Sequence, residues 1–246
     1  MNKVIDDSYL YEDSTTLRNL LHIRDQKALE VAEAEISSAN MMLLYEKGFS
    51  SFSSSGIKMI HKALFRDIYD WAGAFRIINV MKRESLLAGK SVWYANVADI
   101  ESDLDKGWAT INKVNWADLD AINFAKTLSR TFPALWQAHP FRDGNTRTVV
   151  MLMTFFVEHY GFFFDQELFA ASAGYVRNAF VMACWGEHSE YEHLERILID
   201  TISDSQTYQN ENADSLFTVE RTRAEVYEKY ATEDYQPIPH EYRMEE

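Results

Sequence analysis

Apolar residues recur at helical spacing along much of this chain, and this period constrains the fold more than any other feature. Between residues 26 and 47, apolar side chains stand three or four residues apart, at Leu29, Ala32, Ile36, Ala39 and Leu43. Asp25 is suited to cap the start of this helix, and Gly48 to end it. Only 9 Gly and 4 Pro occur in 246 residues, which disfavours a sandwich of strands and turns. The sequence therefore predicts an all-α fold.

The same spacing predicts further helices, separated by short loops. They are expected at residues 57–73, 97–111, 116–137, 145–160, 165–173, 175–185 and 189–202. Pro133 should disturb the last turn of the helix that contains it. Residues 75–81 and 91–94 are strand-like and flank a turn, so a single β-hairpin is predicted there. Because a lone hairpin is marginally stable, we expect it to lie against the helices as a flap.

Composition divides the chain and limits its partners. We expect an irregular N-terminal arm at residues 1–22, a helical domain at 23–202 and an acidic tail at 203–246. The net charge of −14 provides no basic face, so neither nucleic acid nor an anionic membrane is an expected partner. The N-terminus lacks the apolar core of a signal peptide, which predicts a cytoplasmic protein or delivery by another route. Cys184 lies in an apolar run and should be a buried, inert thiol.

The segment that carries chemistry is His139-Pro-Phe-Arg-Asp-Gly-Asn-Thr-Arg147. His139 enters a loop before proline, and its imidazole can take a proton near neutral pH. The loop leads into a long apolar helix, whose first N–H groups can bind phosphate, and Arg147 in its first turn can fork onto phosphate oxygens. Asp143 suits a Mg²⁺ ion that bridges carboxylate and phosphate. Together these groups indicate phosphoryl or nucleotidyl transfer.

This segment resembles the Fic motif, H-x-F-x-[DE]-G-N-G-R-x-x-R, and the similarity continues at residues 67–73 and Arg76. The resemblance covers residues from about 10 to 200 and implies a Fic-type helical bundle with one short β-hairpin flap. It implies that His139 is the base, that Phe141 anchors the loop and that Asp143 holds Mg²⁺. The residues that it implies for nucleotide phosphates are Gly144, Asn145, Thr146 and Arg147. Those implied for the flap that docks the target are Lys82, Arg83 and Gly89.

The activity implied by the resemblance is that of a protein adenylyltransferase. Such an enzyme moves AMP from ATP to a Ser, Thr or Tyr hydroxyl of a target protein, with self-modification as a further option and the oligomeric state open. Thr146 stands where the motif has its second Gly, and Val150 where it has its last Arg. Two alternatives therefore remain: a catalytically weakened Fic scaffold that acts as a binding or regulatory module, and an enzyme with a different nucleotide or phosphoryl donor. A third alternative is a toxin-like member of the family that a separate partner protein restrains.

Two further expectations concern regulation and access. Residues 207–212 fit the inhibitory string [ST]-x-x-x-E-[GN] of C-terminally autoinhibited Fic proteins. The resemblance implies that Thr207 begins a short helix and that Glu211 blocks the phosphates, although the Arg that such a Glu pairs with is Val150 here. For catalysis, His139 should face an open pocket beside the start of the Asn145 helix. A His139 ring packed away from solvent would overturn that catalytic role.

Overall fold

The computed structural model describes residues 7–204 and 236–238, and most of the ordered elements within them are helices. These are α1 (Gln26–Lys47), α2 (Ser54–Phe65), α3 (Ile100–Ile111), α4 (Ala121–Thr131), α5 (Pro133–Ala138), α6 (Asn145–His159), α7 (Gln166–Ala171), α8 (Ala173–Ala183) and α9 (Glu192–Thr201). The short strands are β1 (Asn79–Met81), β2 (Phe162–Phe164), β3 (Ile202–Asp204) and β4 (Gln236–Ile238). The predicted helical fold is confirmed.

Helix α1 begins and ends where its sequence predicts. The Asp25 carboxylate accepts the Ala28 N–H at 2.9 Å, and Gly48 adopts φ 74° to close the last turn. The predicted apolar face is wrong, because Leu43 is 56% exposed while Glu33 and Ser37 are buried. Polar partners in the core, described below, draw these two side chains inward and rotate the helix away from its apolar stripe.

Two predicted helices are shorter than their apolar patterns. Helix α2 ends at Phe65, and turns carry the chain to Gly73, whose φ of +81° suits glycine. A Cβ on Gly73 would also lie 2.9 Å from the Lys58 carbonyl oxygen. The helix predicted at 116–137 is a short turn followed by α4 and α5, because Pro133 lacks an N–H and starts a new helix.

Helix α6 is the centre of the molecule, since every residue from Asn145 to Val157 is buried. Helices α2 and α5 pack against it, and α4 packs against α9. At the end of α6, β2 pairs antiparallel with β3, with Phe162 opposite Asp204. This small sheet was not predicted, because three-residue apolar segments between helices carry too little alternation to show as strands.

The predicted hairpin at residues 75–94 needs a correction. Strand β1 pairs antiparallel with β4, with Asn79 opposite Ile238, and not with residues 91–94. The chain does turn back after β1, through an N–H of Glu84 that donates to the Lys90 carbonyl at 2.9 Å. Two residues before Glu84, the Lys82 N–H donates to the Ser91 side-chain oxygen at 3.2 Å and not to a backbone carbonyl, so the backbone ladder stops there. We keep the name flap for residues 79–95.

The N-terminal arm and the tail differ in what the structure describes. Residues 7–25 contain no helix, yet Tyr9 and Leu17 belong to the core, and the Tyr9 hydroxyl accepts the Ile77 N–H at 3.1 Å. The inhibitory candidates Thr207 and Glu211 lie outside the described residues. No helix within the described ranges is long and apolar enough to cross a bilayer.

Candidate active site

The loop between α5 and α6 is braced by its own motif residues. The Asn145 side chain accepts the Phe141 N–H at 2.9 Å and donates to the Phe141 carbonyl at 3.0 Å. Gly144 adopts φ 77°, and a Cβ there would lie 2.5 Å from the Phe65 ring. Glycine is therefore required at position 144 for two reasons: its backbone angle and the closeness of the Phe65 ring. The Asn145 amide serves the loop, while the backbone of the first α6 turn forms the candidate phosphate site.

His61 of α2 packs against this loop and holds it by a hydrogen bond. Its ring stacks on Phe141 with centroids 3.7 Å apart, and Nε2 lies 3.0 Å from the Asp143 carbonyl oxygen. The Gly73 N–H donates to Nδ1 at 2.8 Å, so Nδ1 is the acceptor and Nε2 carries the proton. Burial lowers the pKa of His61 to about 3, so the ring is neutral at physiological pH.

The Asp143 carboxylate lies at the start of α6. One of its oxygens accepts the Gly144 N–H at 2.5 Å and lies 3.9 Å from an Arg147 nitrogen. Within the described residues no group of three or more His, Cys, Asp or Glu side chains could hold a metal alone. One carboxylate beside a phosphate site nevertheless fits Mg²⁺, which is usually held by one or two carboxylates, substrate phosphates and water.

Arg147 takes a different partner from the one the sequence suggests. Its guanidinium forms an ion pair with Glu33 of α1 and donates to the Ser37 hydroxyl at 3.2 Å. It also lies over the Phe65 ring, 4.5 Å from the centroid. The second Glu33 oxygen accepts the Tyr69 hydroxyl. In this conformation Arg147 binds Glu33 and Ser37 of α1, and its predicted contact with phosphate stays a prediction.

Burial and charge have opposite effects on Arg147. Burial lowers the pKa of the guanidinium, but the carboxylates of Glu33 and Asp143 outweigh this and raise it above its ordinary value. Arg147 is therefore a permanent cation, matched by a carboxylate from another helix.

Thr146 and Val150, which depart from the Fic motif, both have places in the core. The Thr146 hydroxyl accepts the indole N–H of Trp136 at 2.9 Å. This bond joins α6 to α5 and directs the hydroxyl toward the core. Val150 is buried within the hydrophobic core and presents no cation to a ligand.

His139 is enclosed, contrary to expectation. Its ring is fully buried, stacks on Tyr94 with centroids 4.0 Å apart, and meets the edge of Trp136 at 5.4 Å. A cavity of about 430 Å³ is lined in part by Tyr94, together with Trp93, Asp103, Lys106 and Gln137. His139 does not line that cavity. The predicted open pocket at His139 is therefore wrong for this conformation, and Tyr94 supplies one physical reason.

The predicted target-docking residues of the flap lie on either side of Glu84, a buried residue that is bound to the helical body. Arg83 and Gly89 are exposed and Lys82 is half-buried, whereas Glu84 between them is buried. The Glu84 carboxylate accepts two hydrogen bonds from Arg177 of α8, at 2.7 and 2.9 Å. This forked pair holds the turn of the flap against the helical body.

Several residues around the site escaped the sequence reasoning. Asp7 pairs with Arg142 at 2.8 Å, Glu33 pairs with Arg147, and His61 and Tyr94 contact the loop from two sides. Glu33 alone had a usable signal, since it follows Leu29 by four residues and is a charged residue on a buried helix face. The other contacts depend on segments that are distant in sequence, and no local pattern marks them.

Comparison with known proteins places this architecture in a family. Residues 51–157 match the family model described as Fic/DOC family. Protein adenylyltransferase VbhT of Bartonella schoenbuchensis is 30% identical over 145 residues, which cover 58% of this chain and 29% of that protein. The probable protein adenylyltransferase y4lH of Sinorhizobium fredii is 27% identical over 164 residues, 66% of this chain and 81% of that protein. The chain thus spans less than a third of the first relative.

Solved structures agree with the fold. The N-terminal Fic domain of a putative cell filamentation protein from Bartonella quintana superposes with a TM-score of 0.70 at 24% identity, over 85% of this chain and 98% of that chain. BepC from Bartonella tribocorum, solved with bound AMPPNP, gives 0.67 at 24% identity, over 80% and 97%. The helical body with its histidine loop is a Fic fold. The chain therefore has this fold, and its residues 51–157 match the Fic/DOC family model.

Proposed function

We propose that this chain is a Mg²⁺-dependent protein adenylyltransferase. It would transfer AMP from ATP to a hydroxyl side chain of a target protein, with release of pyrophosphate and with His139 as the base. The observation that carries the proposal is the braced loop, which holds His139 and the start of α6 in one fixed frame. The relatives named adenylyltransferases and the AMPPNP-bound structure support AMP transfer by the same frame.

The roles of the loop residues follow from their placement. The backbone N–H groups of the first α6 turn, from Asn145 onward, would hold the phosphates, because a helix start leaves such groups without intrahelical acceptors. Asp143 would hold Mg²⁺, which neutralises phosphate charge when the nucleotide is bound. His139 would take the proton of the attacking hydroxyl. Arg147 would support the helix start through Glu33, and the phosphates would rely on backbone and metal.

The enclosed His139 is accounted for by a closed flap. Tyr94 lies near the end of the flap and is only half-buried, so a movement of this part of the flap would uncover the His139 ring. Substrate-driven movement of such a segment is a common catalytic device. We propose that nucleotide and target enter after Tyr94 leaves the His139 ring, and that Lys82, Arg83 and Gly89 then contact the target.

A second candidate is favoured by two observations. His139 is fully buried, and Arg147 is committed to Glu33, which suits a weakened Fic scaffold that binds or regulates without transferring. The two candidates differ in whether a nucleotide adduct forms. Transfer from another nucleotide donor would give an adduct of different mass. The inhibitory role of Glu211, in the acidic tail at 203–246, is tested by the same measurement.

The experiment is intact-mass spectrometry after incubation with Mg²⁺ and ATP, and then with GTP, CTP and UTP. It compares wild type, Glu211→Gly and His139→Ala. We expect an AMP adduct in wild type that is larger in Glu211→Gly and absent in His139→Ala. No adduct in any variant, with no nucleotide-dependent thermal shift, would overturn the transferase in favour of the scaffold. An adduct that is unchanged in Glu211→Gly would remove the proposed inhibition alone.

A further inference from the structure

Arg76 is a buried cation whose partners are all backbone carbonyls. The side chain is 1% exposed, and its Nε donates to the His139 carbonyl at 2.8 Å. Its two terminal nitrogens donate to the carbonyls of Ile78, at 2.8 Å, and of Ala95. The Arg76 backbone N–H donates to the Pro140 carbonyl at 2.8 Å. One planar group thus contacts the catalytic loop and both ends of the flap.

Such a cation is costly to bury, so its placement calls for a reason. Within the described residues, Arg76 forms no ion pair with a carboxylate. Burial lowers the pKa of its guanidinium to about 10, which leaves it protonated at neutral pH. A guanidinium is the side chain that can offer donors in several fixed directions at once. Carbonyl dipoles from three segments therefore replace both water and a counter-ion.

The carbonyl that Arg76 holds belongs to a strained residue. His139 has φ 46°, in the left-handed region that side chains with a Cβ rarely adopt. The ring direction of His139 depends on this backbone conformation. Hydrogen bonds from Arg76 to the carbonyls of His139 and Pro140 hold the two peptide groups that directly follow the His139 Cα.

Arg76 also contacts both ends of the flap that covers His139. Ile78 immediately precedes β1, and Ala95 follows Tyr94, whose ring covers His139. Displacement of the flap would therefore disturb the Arg76 donors that hold His139. We propose that Arg76 is a positioning residue that couples the flap to the backbone conformation of His139. Target docking on the flap would then adjust the base as well as uncover it. The docking of a target and the naming of His139 as base both rest on the proposed function.

The experiment is hydrogen exchange followed by mass spectrometry on Arg76→Lys, with Arg147→Lys as the matched control. A lysine keeps the charge but offers one compact ammonium, which cannot span three carbonyls. We expect exchange in Arg76→Lys to become about tenfold faster or more in both residues 79–95 and residues 139–143. Arg147 is equally buried, and Arg147→Lys should accelerate exchange in α1 and early α6 while residues 79–95 stay at the wild-type rate.

Two results would overturn the coupling: faster exchange in only one of the two segments, or equal acceleration over the whole chain. If Arg76→Lys does not fold, Glu84→Gln loosens the flap with Arg76 intact. The ¹⁵N signals of the His139 ring, assigned by their loss in His139→Ala, should then shift. A flap that exchanges faster while those signals stay unchanged would overturn the proposal. Neither readout needs catalysis, so failure here is separate from failure of the transferase proposal.

Discussion

The guanidinium of Arg147 on α6 and the carboxylate of Glu33 on α1 form an ion pair inside the protein, with both side chains almost completely buried. Glu33 lies outside residues 51–157, the part of the chain that matches the Fic/DOC family model. Arg147, a residue of the motif, thus has its ion-pair partner on α1, outside the segment that the family model matches. The pair joins the start of α6 to helix α1 in the N-terminal part of the molecule. Its removal should therefore affect the stability of the fold.

Glu33→Ala should destabilise the fold strongly, because it leaves the Arg147 cation buried without its carboxylate. We expect the free energy of unfolding, measured by urea titration, to fall by about 3–5 kcal/mol. The control is Arg130→Ala, which breaks the exposed pair with Glu195 and should cost less than about 1 kcal/mol. Similar losses in the two variants would contradict the assigned role of Glu33.

Thr146→Val should also lower stability, because the buried indole N–H of Trp136 loses the hydroxyl that accepts it. The two side chains have nearly the same shape, so the loss of about 1–3 kcal/mol reports the hydrogen bond. Thr146→Ser, which keeps the hydroxyl, is the control and should lie closer to wild type. Urea unfolding of the three proteins decides between them, and a Val variant as stable as wild type would refute the contact.

His61 should make stability depend on pH on the acid side. Its pKa is about 3 in the folded protein and 6.5 when unfolded, so the unfolded chain binds the extra proton. Its contribution is complete above pH 6.5 and is lost as the pH falls toward 3, by up to roughly 5 kcal/mol. His61→Gln cannot titrate, so the difference between the two unfolding curves isolates this slope. Parallel curves between pH 6.5 and 4 would contradict it.

Breaking the Glu84–Arg177 pair should release the flap. Glu84→Gln removes the charge from two hydrogen bonds, and trypsin cleavage after Lys82 and Arg83 should become about tenfold faster. The control is Arg130→Gln, which breaks the exposed pair with Glu195. In this variant, cleavage after Lys82 and Arg83 should proceed at the wild-type rate. Unchanged cleavage in Glu84→Gln would show that other contacts hold the flap closed.

Local features of the fold were predictable because they are encoded within a few residues. The caps of α1 at Asp25 and Gly48, the break at Pro133 and the start of α6 at Asn145 agree with the structure. Each depends on a hydrogen bond or a backbone angle that neighbouring residues determine. The composition of the loop, with His139 and Asp143 before a helix start, was readable for the same reason.

What the sequence by itself determined is the helical class, the two ends of α1, the start of α6 and the chemical groups of the loop at residues 139–147. Only the tertiary structure decided that Arg147 pairs with Glu33, that β1 pairs with residues 236–238, and that Tyr94 covers the His139 ring. These contacts join segments far apart in the chain. Their geometry depends on how the helices pack and on which buried polar group each cation reaches, and no local period in the sequence records that.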